Sequence, residues 1–249
     1  MARFAGALQI IRFNWPYYIV AAVVSAAAFL CVSLWPLPAP VRLSVMFIAI
    51  VPIAMAVLSI VVSHYVYDRS DLYRWSWLRD LFGVLPERWV NIHAGLDQTT
   101  DALRQVFPSD SSRTWDIFQK DRMTEPAIER ARREYSGVSS GAEKADAGSL
   151  PSGDGTADAV FVIFAAHEIR ALATRNRFFS ELYRILRTDG RVVLIEHLRD
   201  WPNFLAYGPG VVHFYPRSEW VRLAHESNLE IAKELKKTPF VRCFVLRKP

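Results

Sequence analysis

The chain has 249 residues, of which 51% are hydrophobic, and carries a formal net charge of +5 with two cysteines. That length holds one large domain or two small ones, and the modest basic excess suits an anionic membrane surface while no nucleic-acid motif accompanies it. Cys31 lies in an apolar run and Cys243 in a late strand, so they form neither a disulfide framework nor a metal-binding spacing.

Two apolar runs follow the amino terminus, Tyr17–Leu34 and Leu43–Val66, and neither contains Lys, Arg, Asp or Glu. A hydrocarbon core takes about 20 apolar residues as helix. Trp15 and Trp35 flank the first run as interfacial anchors would. Trp35–Pro40 is a short turn, so residues 1–66 read as a transmembrane helical hairpin; the other reading is a helical pair buried in a soluble protein. Two consecutive spans without a small-residue cleavage site argue against a signal peptide. Arg3 and Arg12 precede the first run, Arg69, Arg74 and Arg79 follow the second, and only Arg42 lies between them. The positive-inside rule then puts both termini on the cytoplasmic side of an inner membrane.

Residues 67–87 form a junction. Leu72, Trp75, Leu78, Leu81 and Phe82 recur at helical spacing there, which predicts either an interfacial amphipathic helix or a helix packed on the following domain. Residues 88–249 alternate strand and helix signals. Strands are predicted at Trp89–Ile92, Arg113–Phe118, Ala159–Phe164 and Arg191–Ile195, with a third strand weakly marked near Val138 or Glu143–Ala145. Helices are predicted after Thr99 or Thr100, over Ala127–Glu134, over Arg175–Arg187 and over Glu219–Ser227 with Ser218 as cap. Thr188-Asp189-Gly190 is expected to stop the third of these helices. Leu229–Leu235 and Phe240–Leu246 complete the chain as an antiparallel pair. The pattern is a doubly wound α/β fold with a mostly parallel sheet, in which ligands sit beyond the carboxyl ends of the strands.

The segment LPSGDGTADAVFVIFAAHEI, followed by FFSELYRILRTDGRVVLIEH, resembles the second half of a class I S-adenosylmethionine-dependent methyltransferase. The resemblance is to the type that includes ubiquinone and menaquinone C-methyltransferases, and it extends over roughly residues 88–249. It implies a Rossmann-like methyltransferase fold with S-adenosylmethionine as cofactor. It also places an acid and a Gly-rich turn after the first strand. Here Asn91 stands at the acid position, Gly95 at the central glycine, and His93 and Asp97 replace the flanking glycines. Either the cofactor is held in a modified loop, or this half has lost binding. Asp116 lies at the spacing from the turn where an acid meets ribose hydroxyls. Asp146-Ala147 resembles the family's acid and small residue beside the adenine. Ala165 lies at the carboxyl end of the fourth strand, on the cofactor side.

Methyl transfer needs mainly in-line positioning, and a base helps where the acceptor is weakly acidic. His167, Glu168 and His197 are the candidate catalytic groups at strand ends. Glu196, Trp201, Tyr207 and His213 are candidate substrate contacts, the last three in an aromatic segment after strand five where the family builds them. No Cys/His metal spacing, P-loop or Gly-x-Ser-x-Gly elbow is present. These features predict a membrane-anchored methyltransferase acting on a lipid, quinone-like or other small apolar acceptor. The alternative is a non-catalytic membrane scaffold or sensor on a degenerate methyltransferase fold.

Overall fold

Two long apolar helices open the chain. In the computed structural model, which describes residues 4–123, 128–130, 132 and 141–249, α1 spans Ala5–Leu34 and α2 spans Ala39–Ser63. Helix α1 leaves helical geometry at Asn14 (φ −116°, ψ 19°). Pro16 accounts for this, because it has no N–H to donate and its ring crowds the preceding turn. The carboxylate of Asp68 reaches back to the start of α1, accepting from Gly6 N–H at 2.7 Å and Ala7 N–H at 3.0 Å. It thus satisfies two of the donors that a helix start leaves unpaired.

Both are long and apolar enough to cross a membrane by length and composition, with mean hydropathy of 2.2 in an 18-residue window of Ala5–Leu34 and 2.9 in one of Ala39–Arg74. Only 17% of each apolar window is buried, and Val20, Phe29, Leu30, Leu43, Phe47 and Ile50 are exposed. The core helices of a soluble domain bury such residues.

The junction is not one helix. A π-helical turn at His64–Arg69 is followed by 3-10 turns at Asp71–Arg74 and Ser76–Leu81. Trp75 between the 3-10 turns has φ of 54°, which stops helix propagation. Leu72, Trp75, Leu78 and Leu81 are buried in protein, so the predicted interfacial face over residues 67–87 is absent.

The chain forms two compact units. The first comprises the chain up to Tyr73 together with Asp200–Val211, and the second comprises Arg74–Arg199 and Val212–Pro249. These limits differ from divisions after residues 66 and 87, since a segment far along the chain returns to the first unit. That segment holds the short helix α5, Trp201–Tyr207, which packs on α2.

The second unit is built on a sheet of seven strands. They are β1 Trp89–His93, β2 Arg113–Asp116, β3 Glu143–Lys144, β4 Ala157–Ile163, β5 Leu186–His197, β6 Glu230–Thr238 and β7 Val241–Arg247. The order is β3-β2-β1-β4-β5-β7-β6. The first five run parallel, and β7 pairs antiparallel with both β5 and β6. Helices α3 Thr100–Val106, α4 Leu172–Ile185 and α6 Arg217–Glu226 cover the sheet. Phe178, Phe179, Leu182 and Ile185 of α4 meet Val160, Val162, Val192 and Leu194 in one core. Continuous apolar runs in β4 and β5 are what a strand covered on both faces requires. Within the predicted helix Ala127–Glu134, residues 128–130 and 132 are helical; the other half of it, and Val138, lie outside the described residues.

Strand β5 begins at Leu186 rather than Arg191. Leu186 pairs with Ala157, and the register then shifts so that Arg191 pairs with Ala159. The expected Thr188-Asp189-Gly190 turn therefore lies within the strand as a bulge. A Cβ at Gly190 would sit 2.9 Å from the Ala157 carbonyl oxygen and 2.8 Å from Leu186 Cδ1, so the backbones approach too closely for any other residue.

Candidate active site

The strand order reverses between β1 and β4, and the crevice at that switch point is the expected ligand site. Its first wall is the turn after β1. Asn91 does not face the crevice. It is fully buried, and its amide donates to Thr99 Oγ1 at 3.0 Å and Thr100 Oγ1 at 2.7 Å. Those hydroxyls, expected as helix caps, are turned inward. Asp97 caps α3 in their place, its Oδ1 accepting from the N–H groups of Thr99 (3.1 Å) and Thr100 (3.0 Å). Asn91 and Asp97 thus serve the turn itself, and an amide suits Asn91 because it must donate to hydroxyls.

His93 is 3% exposed, and neither ring nitrogen has a hydrogen-bond partner among the described residues. Burial pushes its pKa below the usual histidine range, against the pull of Asp116, whose Oδ1 lies 3.8 Å from Nδ1. A histidine held neutral in the fold but protonated in the unfolded chain lowers stability as pH falls through about 6.5. Wild-type melting temperature is therefore expected to drop below that pH, and a His93→Phe variant to lose part of the drop.

Gly95 and Asp116 meet across the β1–β2 crevice. Gly95 has φ of +90°, and its N–H donates to Asp116 Oδ1 at 2.8 Å. Phe118 N–H donates to the same oxygen at 3.0 Å. The other oxygen receives Arg132 Nη1 at 3.3 Å and the Lys144 ammonium. Burial works to raise the Asp116 pKa, but the Lys144 hydrogen bond and the remaining donors outweigh it and hold the carboxyl below its usual range. Arg132 also donates to the Gly95 carbonyl at 3.1 Å and lies over the Phe118 ring at 4.2 Å. Asp146 accepts from Gln119 Nε2 at 2.8 Å and from Gly148 N–H at 2.6 Å. A glycine free of side chain beside a fixed carboxylate fits an adenosyl group.

The second wall follows β4 and β5. Phe164 has φ of 51°, a strained value for an aromatic residue and of a kind that clusters at functional sites. Ala165 and Ala166 are buried behind it, and a 3-10 turn at Ala166–Glu168 presents His167 and Glu168. Glu196, at the end of β5, is fully buried. Its Oε2 lies 2.6 Å from His167 Nδ1, and its Oε1 accepts from the N–H groups of Ala166 (2.9 Å) and His167 (3.3 Å). His167 Nε2 lies 3.1 Å from Glu168 Oε1, and His213 Nε2 lies 3.3 Å from the same atom. Burial alone would lower the His167 pKa, yet Glu196 and then Glu168 raise it to about 10. Burial would raise that of Glu168, yet His167 above all lowers it to about 2.

His197 stands apart from this cluster chemically. Its ring stacks between Phe164 and Phe214, with both centroids at 5.0 Å, and its Nδ1 lies 3.0 Å from the Phe240 carbonyl. Trp201 and Tyr207 belong to the first unit. Lys144 and Arg170 are site residues that no sequence motif marks, and Arg132 lies in an arginine-rich helical stretch that reads as a solvated face more readily than as a binding patch. Arg170 Nη1 donates to the carbonyls of His167 (3.3 Å) and His213 (2.6 Å), tying two distant segments together.

The methyltransferase domain family matches residues 99–194. No curated protein matches the chain in sequence. Among solved structures, a SAM-dependent methyltransferase from Aquifex aeolicus is similar at 16% identity and a TM-score of 0.51, over 71% of this chain and 93% of that one. The geranyl diphosphate C-methyltransferase of Streptomyces coelicolor A3(2), solved with S-adenosyl-L-homocysteine, is similar at 13% identity and a TM-score of 0.53, over 75% and 83% of the two chains. The strand order and the match over residues 99–194 agree: those residues match a methyltransferase domain, and the sheet unit has the Rossmann-like fold of S-adenosylmethionine-dependent methyltransferases.

Proposed function

We propose that this chain is a membrane-anchored methyltransferase that transfers the methyl group of S-adenosylmethionine to a lipid, quinone-like or other small apolar acceptor. The observation that carries the reading is the place of Asp200–Val211, which follows β5 and shares its unit with the apolar hairpin. Trp201, Phe204 and Leu205 of α5 are exposed on that unit, as residues that meet an interface or an apolar acceptor are. In the first unit Trp201 and Tyr207 are the apolar candidates for acceptor contact, and in the sheet unit His167, Glu168, Glu196 and His213 are the polar ones. His197 acts as a packed support. Gly95, Asp116, Asp146 and Ala165 frame the cofactor, with Asp116 on the ribose and Asp146 on the adenine, while Asn91 and His93 hold the turn from inside the fold.

The second reading, a scaffold or sensor without catalysis, is favoured by one specific feature. Arg132 and Lys144 already occupy Asp116, and His93 fills the first position of the turn. Calorimetric titration of the detergent-solubilised full-length chain with S-adenosylmethionine and S-adenosylhomocysteine separates the two. Saturable binding supports the enzyme, and its absence at millimolar ligand leaves the scaffold. In the same assay Asp116→Ala is expected to weaken cofactor binding by about 1–3 kcal/mol, the cost of losing hydrogen bonds to a charged acceptor.

The anchor has its own expected result. Reporters fused to either terminus should be active in the cytoplasm, and a reporter in the Leu37–Pro40 turn should not, because the basic residues lie outside the hairpin turn. A turn reporter active in the cytoplasm would refute the hairpin.

A further inference from the structure

We propose that His167, Glu168 and His213 bind one divalent transition-metal ion. Their ligating atoms all lie within 4.8 Å of one another. Both imidazole Nε2 atoms converge on Glu168 Oε1, at 3.1 Å from His167 and 3.3 Å from His213. Ligand atoms held about 2.0–2.2 Å from an ion and at right angles to each other are about 3 Å apart.

Three further observations point to a ligand. Glu168 is 6% exposed, and its Oε2 is buried with no hydrogen-bond partner among the described residues. A carboxylate oxygen left so is costly, and a cation satisfies it. His167 Nδ1 is paired with Glu196, which is itself fixed by two backbone N–H groups. That is the carboxylate–histidine arrangement that orients a metal-bound imidazole, with the ion taking the place of the Nε2 proton. Finally, Arg170 holds the backbones of both histidines in register. The spacing of the ligands along the sequence shows none of this, since His213 joins only when the chain folds.

Two imidazoles and one carboxylate select zinc, iron, cobalt or nickel over magnesium and calcium, which prefer all-oxygen sets. Three protein ligands on one side leave open positions for water or for an oxygen of a small molecule. The site stands on its ligands and does not depend on the methyltransferase reading.

The test uses the full-length chain in detergent, without a polyhistidine tag, stripped with EDTA and titrated with Co²⁺ alone. One equivalent should bind with visible absorption, and Zn²⁺ should displace it. Glu168→Gln and His213→Ala should each weaken Co²⁺ binding at least about tenfold, and Glu196→Gln by about 10–100-fold, while far-ultraviolet circular dichroism stays unchanged. Zn²⁺ should also raise the melting temperature of wild type and leave that of Glu168→Gln unmoved. The proposal is overturned if wild type shows no saturable Co²⁺ binding up to about 1 mM, a dissociation constant worth only about 4 kcal/mol. It is equally overturned if Glu168→Gln and wild type bind Co²⁺ alike. The first of these outcomes needs no variant to fold.

Discussion

Glu196→Ala is expected to lower folding stability by about 3–5 kcal/mol, the usual cost of breaking a buried ion pair from one side. Glu196 is fully buried, and one carboxylate holds the His167 ring and two backbone N–H groups. Its loss leaves the N–H groups of Ala166 and His167 without an acceptor. It also leaves the charged His167 ring with Glu168 alone. Glu196→Gln keeps the shape and an acceptor oxygen, so it should cost clearly less. Denaturant unfolding of the full-length chain in detergent, followed by tryptophan fluorescence, measures both. A loss under about 1 kcal/mol for Glu196→Ala would mean that water replaces the carboxylate and that the cluster is not sealed.

Gly95→Val is expected to abolish S-adenosylmethionine binding, a loss of at least about a hundredfold, with the sheet domain still folded. A β-branched residue at φ of +90° is strained by about 1–3 kcal/mol. The new Cβ would lie 2.8 Å from Arg132 Nη1, 3.0 Å from Arg132 Cδ and 3.1 Å from Phe118 Cδ2. The turn must then move, and the Gly95 N–H···Asp116 bond moves with it. His93→Gly, which restores the family's residue at the neighbouring position, should preserve or improve binding if the ring only fills space. Calorimetry on both variants, with circular dichroism as the control for folding, gives the answer. Undiminished binding in Gly95→Val would place the cofactor away from this turn.

The parts of the fold most legible in the sequence are those fixed by apolar period. The apolar runs in β4 and β5, bounded by Gly, Asp and charged clusters, read as strands covered on both faces, and the spacing of Phe178, Phe179, Leu182 and Ile185 reads as a helix packed on them. Local signals mislead where tertiary pairing overrides them. Thr188-Asp189-Gly190 is a turn signal, but pairing of Leu186 with Ala157 extends the strand across it. The apolar period across Leu72–Phe82 fits one helix, but the left-handed Trp75 divides it. In the β1 turn, Asn91 and Asp97 look like lost ligand contacts, whereas one orders hydroxyls inside the fold and the other caps α3. The charges around Asp116 were illegible for a different reason. Arg132 sits in an arginine run that looks like a solvated helix face and Lys144 in a stretch without motif, and only the folded chain brings them onto one carboxylate.

The return of Asp200–Val211 to the first unit sets an order of events during synthesis. The two apolar helices leave the ribosome before any strand of the sheet. Their unit nevertheless stays unfinished until Val211 has been made, after β1 to β5 have all passed. Domains ordinarily fold in the order they are translated. Here the earliest segment must wait for a late one, with the face of α2 that receives α5 uncovered in the meantime. A nascent chain halted before Asp200 would keep that face open, and a chain deleted of residues 1–66 would leave α5 with nothing to cover.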